Sequence, residues 1–212
     1  MNFDKRALTW DDEYRVGRAK IIAQEIKNTV PINKQYAALE FGCGTGLISF
    51  NLYQEFKHVT LVDTSKGMIQ VVNSKIKDYN ATNMIAYEKD INNEPLKEKY
   101  DVIYTSMVLH HINDLEKTLK NLRAMLNDGG YLCIVDLTKD DGTFHKNEKD
   151  FSGHNGFEEM ELKSLLNKVG LEDITYKVFF NGKKAIEGQE VDYSLFIMVG
   201  KKNFPKNKSQ AK

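Results

Sequence analysis

Apolar and polar positions along this chain follow two periods that take turns. Over residues 10–29 the apolar positions Tyr14, Ala19, Ile22 and Ile26 stand near helical spacing, and Pro31 closes the run. Residues 36–41 form a short apolar run that reads as a buried strand, and a helical pattern follows over 47–56. Residues 58–62 are apolar and β-branched, a second strand ending at Asp63. Residues 66–79 place Met68, Ile69, Val72 and Ile76 on one helical face, with Ser65 as N-cap. Residues 83–87 and 101–106 read as strands three and four, and Asp90 follows the former. Asp114 caps a helix to about Leu126, Gly129-Gly130 ends it, and 131–137 is a fifth strand.

Strands alternating with helices predict an α/β fold, a doubly wound and mostly parallel sheet with helices on both faces. The pattern changes after strand five. Residues 138–156 are polar and have no clear period, 158–169 are helical, and two β-rich runs follow over 172–180 and 190–200. Asn181-Gly182-Lys183-Lys184 is the turn signal between those runs. No helix intervenes, so an antiparallel C-terminal hairpin finishes a seven-stranded, Rossmann-like sheet. This predicts one domain over 1–200, comprising an N-terminal helical cover (1–31), a core (36–137), a loop (138–156), and a helix with the hairpin (157–200). Residues 201–212 read as a basic flexible tail.

Composition narrows the picture in a few places. A chain of 212 residues with 30 basic and 30 acidic side chains has no global field to draw it to nucleic acid or a membrane. Cys43 and Cys133 have no metal-ligand spacing, which predicts no metal centre, no disulfide and a reducing setting. With no long apolar stretch and no leader pattern, a soluble, cytoplasmic protein is expected, a monomer or homodimer.

The sharpest signal is the segment 38–48, Ala-Leu-Glu-Phe-Gly-Cys-Gly-Thr-Gly-Leu-Ile. Gly42, Gly44 and Gly46 stand at alternate positions after an apolar strand, where the backbone turns tightly or approaches a ligand closely. A nucleotide-like ligand sits in such a place, at the C-terminal end of a parallel strand. A dinucleotide turn reads G-x-G-x-x-G and aims a helix N-terminus at a pyrophosphate. Here position 47 is Leu and Glu40 precedes the turn. A carboxylate there repels a pyrophosphate and suits a cationic ligand without phosphate, such as S-adenosylmethionine with its sulfonium and ammonium. Residues 40–46 closely resemble the first motif of the class I S-adenosylmethionine-dependent methyltransferases, and the resemblance covers about 36–200. That family's sheet is also seven-stranded and finished by a hairpin. Two alternatives stand beside it. One is a nicotinamide-dependent oxidoreductase, opposed by Glu40, the glycine spacing and the hairpin. The other is a non-catalytic S-adenosylmethionine-binding protein.

Asp63, about twenty residues after the turn, either accepts from the ribose hydroxyls or caps the next helix. Thr64, Ser65 and Met68 then lie beside the adenosine, with Cys43 in the turn itself. The resemblance implies that Asp90 takes the exocyclic adenine amine and the Ile91 amide meets a ring nitrogen; the other reading of Asp90 is a loop acid. Ser106 and Met107 end strand four near the methionine portion. Leu109-His110-His111-Ile112 looks like the small-molecule branch of the family. Thr105-Ser106-Met107-Val108 lacks the Asn/Asp-Pro-Pro-Tyr/Phe that grips a planar amine, which predicts against adenine, cytosine or glutamine-amide acceptors.

Methyl transfer needs in-line alignment, exclusion of water, and a proton acceptor where the nucleophile carries a proton. His110 and His111 are the candidates for that acceptor, at most one of them facing substrate; His110 is equally suited to hold the turn after strand four. Residues 3–13 resemble the cofactor-covering extension of small bacterial class I methyltransferases. They bring Trp10, and Tyr14, Arg15 and Arg18 follow, to the substrate side. An arginine there suits the cofactor carboxylate. Trp10 also reads as a plain hydrophobic anchor. With Tyr14, Tyr87 or Phe144 it would line an aromatic pocket for a cationic centre. His145 and His154 lie in the polar loop, and His154 is the substrate-side candidate. The N-terminal segment and residues 138–156 are expected to be the least ordered parts without ligand.

Overall fold

β1 (Ala37–Phe41) is buried on both faces, and this makes it the centre of the molecule. The computed structural model describes residues 3–148 and 151–205. Beside β1 stand β2 (His58–Asp63) and β4 (Tyr100–Ser106), then β3 (Met84–Glu88) and β5 (Leu126–Leu137), with β6 (Glu172–Ile186) and β7 (Gln189–Lys201) at the far edge. The sheet order is β3-β2-β1-β4-β5-β7-β6. The first five strands are parallel, and β7 runs antiparallel to both β5 and β6.

Side chains that alternate along the strands feed two cores. α2 (Glu13–Thr29) and α3 (Lys66–Asp78) pack Ile22, Ile26, Ile69 and Val72 against Ala38, Leu61 and Val102. α4 (Leu115–Met125) and α5 (Glu159–Lys168) pack Leu119, Leu122, Leu162 and Leu166 against Leu39, Ile103 and Ile134. α1 (Phe3–Arg6) is a single turn before α2. Asp12, Ser65 and Asp114 cap α2, α3 and α4 by accepting from the amides of Arg15, Met68 and Lys117. The strand order reverses between β1 and β4, so a crevice opens there at the carboxyl ends of the strands, where sheets of this kind hold ligands.

The expected helix over 47–56 is instead two 3₁₀ turns, Ser49–Asn51 and Tyr53–Glu55. The Asn51 side chain donates to the Leu47 carbonyl (2.8 Å), which an α-helix would give to the Asn51 amide. Trp10 lies before α2 rather than in it, because Asp12 is the cap. α4 ends at Met125, and Gly129-Gly130 belong to β5, where the Gly129 amide donates to the Lys202 carbonyl (2.6 Å). The terminal hairpin runs straight through Asn181-Gly182-Lys183-Lys184 and turns at Glu187-Gly188. Both of those residues have positive φ (50° and 79°), as a two-residue primed turn requires. In the polar segment, Thr143–His145 forms a 3₁₀ turn with Phe144 and His145 buried. The expected tail is tied at its start: Lys201 ends β7 and Lys202 Nζ donates to the Leu126 carbonyl (2.7 Å). Residues 206–212 lie outside the described residues. No helix among the described residues is long and apolar enough to cross a membrane.

Candidate active site

The glycine turn hangs from β2. The Gly42 and Cys43 amides both donate to the Val62 carbonyl (2.9 and 3.0 Å). Gly42 has φ +69°, and a Cβ there would stand 2.4 Å from Val108 Cγ2. Gly44 has φ +52°, but a Cβ on it would meet only Trp10 Nε1, 3.8 Å away, so the space above it is open. The Gly44 amide donates to Asp63 Oδ2 and the Ser65 amide to Asp63 Oδ1, both at 2.8 Å. Asp63 therefore joins the turn to α3, and each of its oxygens keeps a lone pair for another donor.

Above this turn lies a cavity of about 360 Å³. It brings together Glu40, Gly42, Cys43, Gly44, Asp63, Thr64, Met68, Ser106 and Met107, with Trp10, Arg15 and His111 on the far side. Arg15, Arg18, Ala19 and Ile22 line it from one face of α2, at positions i, i+3, i+4 and i+7. Four expected residues stay out of its wall. Gly46 packs on Phe50. Ser65 caps α3. Asp90 closes its own turn, accepting from the Asn92 amide (2.9 Å) and Asn93 Nδ2 (2.6 Å). Ile91 is fully buried in the core beneath α4.

Glu40 is buried at the cavity floor. Ser49 Oγ donates to it and also lies 2.7 Å from the Tyr104 hydroxyl. Burial pushes the Glu40 carboxyl up to about 8, against an ordinary 4.5. Burial also pushes the Cys43 thiol well above its usual range, so it stays protonated.

The N-terminal segment covers the opening through two carboxylates. Asp4 Oδ1 accepts from Ser65 Oγ (2.6 Å) and the Gly67 amide (2.8 Å). Asp11 accepts from Thr45 Oγ1 and pairs with Lys75 (2.5 Å). Phe3 then sits edge-on to both Trp10 and His111, with ring centroids 5.7 and 5.6 Å away.

A second cavity, of about 320 Å³, shares Phe3, Trp10, Arg15, Arg18, Met107 and His111 with the first. Met107, common to both, has φ +59°, an uncommon conformation for a non-glycine residue. Tyr14, His110, Phe144, His145 and Tyr193 line only the second cavity. The adjacent histidines thus part company. His110 Nδ1 lies 2.5 Å from Asp136 Oδ1, and both residues are buried. His111 faces Phe3, and burial together with the His110 and His145 rings pushes it down to about 3. His154 lines neither cavity: its Nε2 meets the Ile112 carbonyl (3.0 Å) and its amide donates to the His110 carbonyl (2.7 Å). Tyr87 is exposed and lines neither.

Several wall residues escaped the sequence reading, among them Phe3, Val108, Lys184 and Tyr193, and so did Asp136, the buried partner of His110 behind the wall. Asp136 did carry a signal: an acid inside the apolar run Cys133–Leu137 must find a buried partner or cost several kcal/mol, on the order of 2–7 for an unpaired polar group.

Comparison with known proteins agrees with this geometry. Residues 14–176 match the model of a methyltransferase domain family. An uncharacterized methyltransferase of Schizosaccharomyces pombe is 31% identical over 148 residues, 63% of this chain and 52% of the relative. A malonyl-[acyl-carrier protein] O-methyltransferase of Ilyobacter polytropus is 31% identical over 136 residues, 63% of this chain and 49% of the relative. The chain thus spans about half the length of these two curated relatives. Phosphoethanolamine N-methyltransferase 2 of Haemonchus contortus, solved with S-adenosyl-L-methionine, superposes with a TM-score of 0.70 at 16% identity, covering 86% of this chain and 52% of that one. The chain belongs to the methyltransferase domain family, in its class I, S-adenosylmethionine-dependent form.

Proposed function

We propose that this protein transfers the methyl group of S-adenosylmethionine to a proton-bearing nucleophile on a small molecule held in the second cavity. The observation that carries this reading is the shared wall: Met107, His111 and Trp10 line both cavities, so a donor site and an acceptor space meet. Bound S-adenosylmethionine supplies a methyl already activated on a sulfonium. The residues suit it: open space over Gly44, lone pairs on Asp63 for two ribose hydroxyls, and a buried Glu40 for a cationic group. Thr64 and Met68 flank the adenosine. Phe3 and Trp10 exclude water. His110, with Nδ1 held by Asp136, takes the nucleophile's proton at Nε2. The acceptor space lies at the lower end of the roughly 300–1,000 Å³ usual for small-molecule sites, which supports a small acceptor. The primary test is thermal shift with S-adenosylhomocysteine against NAD, then a search of metabolite extracts for mass gains of one methyl group. A melting temperature raised by NAD alone would reverse the reading.

Glu40 gives this proposal a proton signature. Near pH 7 the ligand-free carboxyl is mostly protonated, since it titrates at about 8. A cationic group beside it favours the ionised form, so binding releases a proton and affinity rises with pH until about 8. Calorimetry at pH 7 in buffers of different ionisation enthalpy should show that release, and Glu40→Gln should abolish it while weakening binding. The stability of the free protein runs the other way. The folded pKa is raised, so the stabilisation is complete below 4.5 and is lost as pH climbs to about 8. Glu40→Gln should therefore melt higher than the parent at pH 8. No buffer dependence in the parent would remove Glu40 from the cofactor site.

The cover should move. α1 contains no buried residue and Leu8 is 91% exposed, so beyond Asp4 and Asp11 the segment is held by buried Ala7 and by the Phe3 ring against Trp10 and His111. Hydrogen exchange over 3–12 is expected to be fast in the free protein and slowed by S-adenosylhomocysteine. The double variant Asp4→Ala/Asp11→Ala should raise the acceptor KM more than the cofactor Kd. Strong protection already present without ligand would exclude a moving cover.

A further inference from the structure

The second cavity is charged in a way that methyl transfer alone does not require. Among the described residues, Arg6, Arg15, Arg18, Lys183 and Lys184 line it, against Asp12 and Glu148. Asp12 is already committed, capping α2 and pairing with Arg15. Lys183 turns to Glu190 (2.9 Å). Glu148 stands 3.6 Å from Lys184, whose ammonium donates to the Phe144 carbonyl (2.7 Å) and lies 3.9 Å from the centre of the Phe144 ring. Arg18 has no carboxylate partner among the described residues; its Nη1 donates to the Tyr193 hydroxyl (3.0 Å). Burial lowers the Lys184 pKa; Glu148 opposes that shift, and Arg18 and Arg6 add smaller downward pushes. Arg18 and Lys184 thus line one partly desolvated space in which Glu148 is the only carboxylate paired with either of them among the described residues, and an entering anion would offset their charge.

Two neutral features of the same wall suit an oxyanion. The Tyr14 and Tyr193 hydroxyls lie 2.6 Å apart, and burial pushes Tyr14 up to about 12, so it stays protonated. One proton lies between the two oxygens, and the other remains to be donated. His145 is buried and lines the cavity, and neither of its ring nitrogens has a partner among the described residues. Buried polar atoms are almost always satisfied, and a bound ligand is one way to complete such a group.

We propose that the acceptor carries an oxyanion, a carboxylate or a phosphate, held by Arg18 and Lys184 in the second cavity; this rests on the methyl-transfer reading above and specifies its substrate class. Arg18 offers the planar fork that matches an oxyanion, Lys184 offers a point charge, and the Tyr14–Tyr193 pair offers a hydroxyl. The anion serves as the handle, and a separate hydroxyl or amine of the acceptor faces His110 and the shared wall. A cavity of about 320 Å³ takes a small acid rather than a polymer, in keeping with the chain's zero net charge.

Binding of benzoate, phenyl phosphate and the neutral benzyl alcohol to the full chain saturated with S-adenosylhomocysteine tests this. Calorimetry should show one or both anions binding about tenfold or more tighter than the alcohol. Arg18→Met and Lys184→Met should each remove most of that preference, and Arg18→Lys should keep part of it. Lys184 is outside the first cavity, so Lys184→Met should leave S-adenosylhomocysteine affinity unchanged. Benzoate and phenyl phosphate also separate a carboxylate handle from a phosphate one. Should S-adenosylhomocysteine itself fail to bind the parent protein, the methyl-transfer reading falls. Should it bind while the anions do no better than the alcohol at millimolar concentration, or bind no better to the parent than to both methionine variants, the oxyanion proposal falls alone.

Discussion

Asp63→Ala is expected to weaken S-adenosylhomocysteine binding by a factor of about 10² to 10⁴. Two ribose hydroxyls lose a charged acceptor, at about 1.5–3 kcal/mol each, and about 1.4 kcal/mol is tenfold in affinity. The protein's own geometry adds to the loss. Asp63 also accepts from the Gly44 and Ser65 amides, so its removal loosens the glycine turn and the start of α3 together. Asp63→Asn keeps one acceptor oxygen and should fall between the parent and the alanine variant. Burial raises the Asp63 pKa while the Ser65, Gly44 and Thr64 amides lower it, so the group binds best when fully ionised. Titration calorimetry on a variant with native circular dichroism decides the matter. An affinity unchanged from the parent would take the ribose away from Asp63.

The order of strands and helices was legible because its signals were local. β1, β2 and β4 are buried on both faces, so each reads as a mostly apolar run. Glu40 and the alternate glycines stand within seven residues of one another and end up in one turn. What stayed hidden depended on contacts distant in sequence or on competition between equal local signals. The apolar spacing over 47–56 was helical, but Ser49 and Asn51 spend their side chains on Glu40 and on the Leu47 carbonyl. Asn181-Gly182 has strong turn chemistry, yet the pairing of β6 with β7 continues past it and the chain reverses at Glu187-Gly188. The meeting of Arg18 with Tyr193, 175 positions apart, exists only once the hairpin folds over α2. The same holds for the histidines. Their adjacency was plain, but only the position of Asp136 on β5 tells which one is held by a carboxylate and which one faces the N-terminal cover.

That division of roles makes Asp136→Asn the most informative catalytic variant. Asp136 touches neither the cofactor site nor the acceptor space, so it is a positioning residue, acting through His110. Its Oδ1 lies 2.5 Å from His110 Nδ1, and its Oδ2 accepts from the His110 amide (3.3 Å). A carboxylate there holds Nδ1 protonated, leaves Nε2 free to accept, and stabilises the imidazolium that forms. An amide keeps the shape but lacks the charge, and it can donate where acceptance was needed. The expected result is a fall in kcat of about 10² to 10⁴, the usual worth of a positioned base, with S-adenosylhomocysteine affinity within about twofold of the parent. A purely structural role would lower stability and disturb KM together with kcat, so a fall confined to kcat is the decisive readout. His111→Gln should lower kcat far less, because burial pushes His111 down to about 3, too weak a base to share the role. An Asp136→Asn enzyme with parental kcat would mean that the nucleophile needs no base, and His110 would then be only the anchor of the turn after β4.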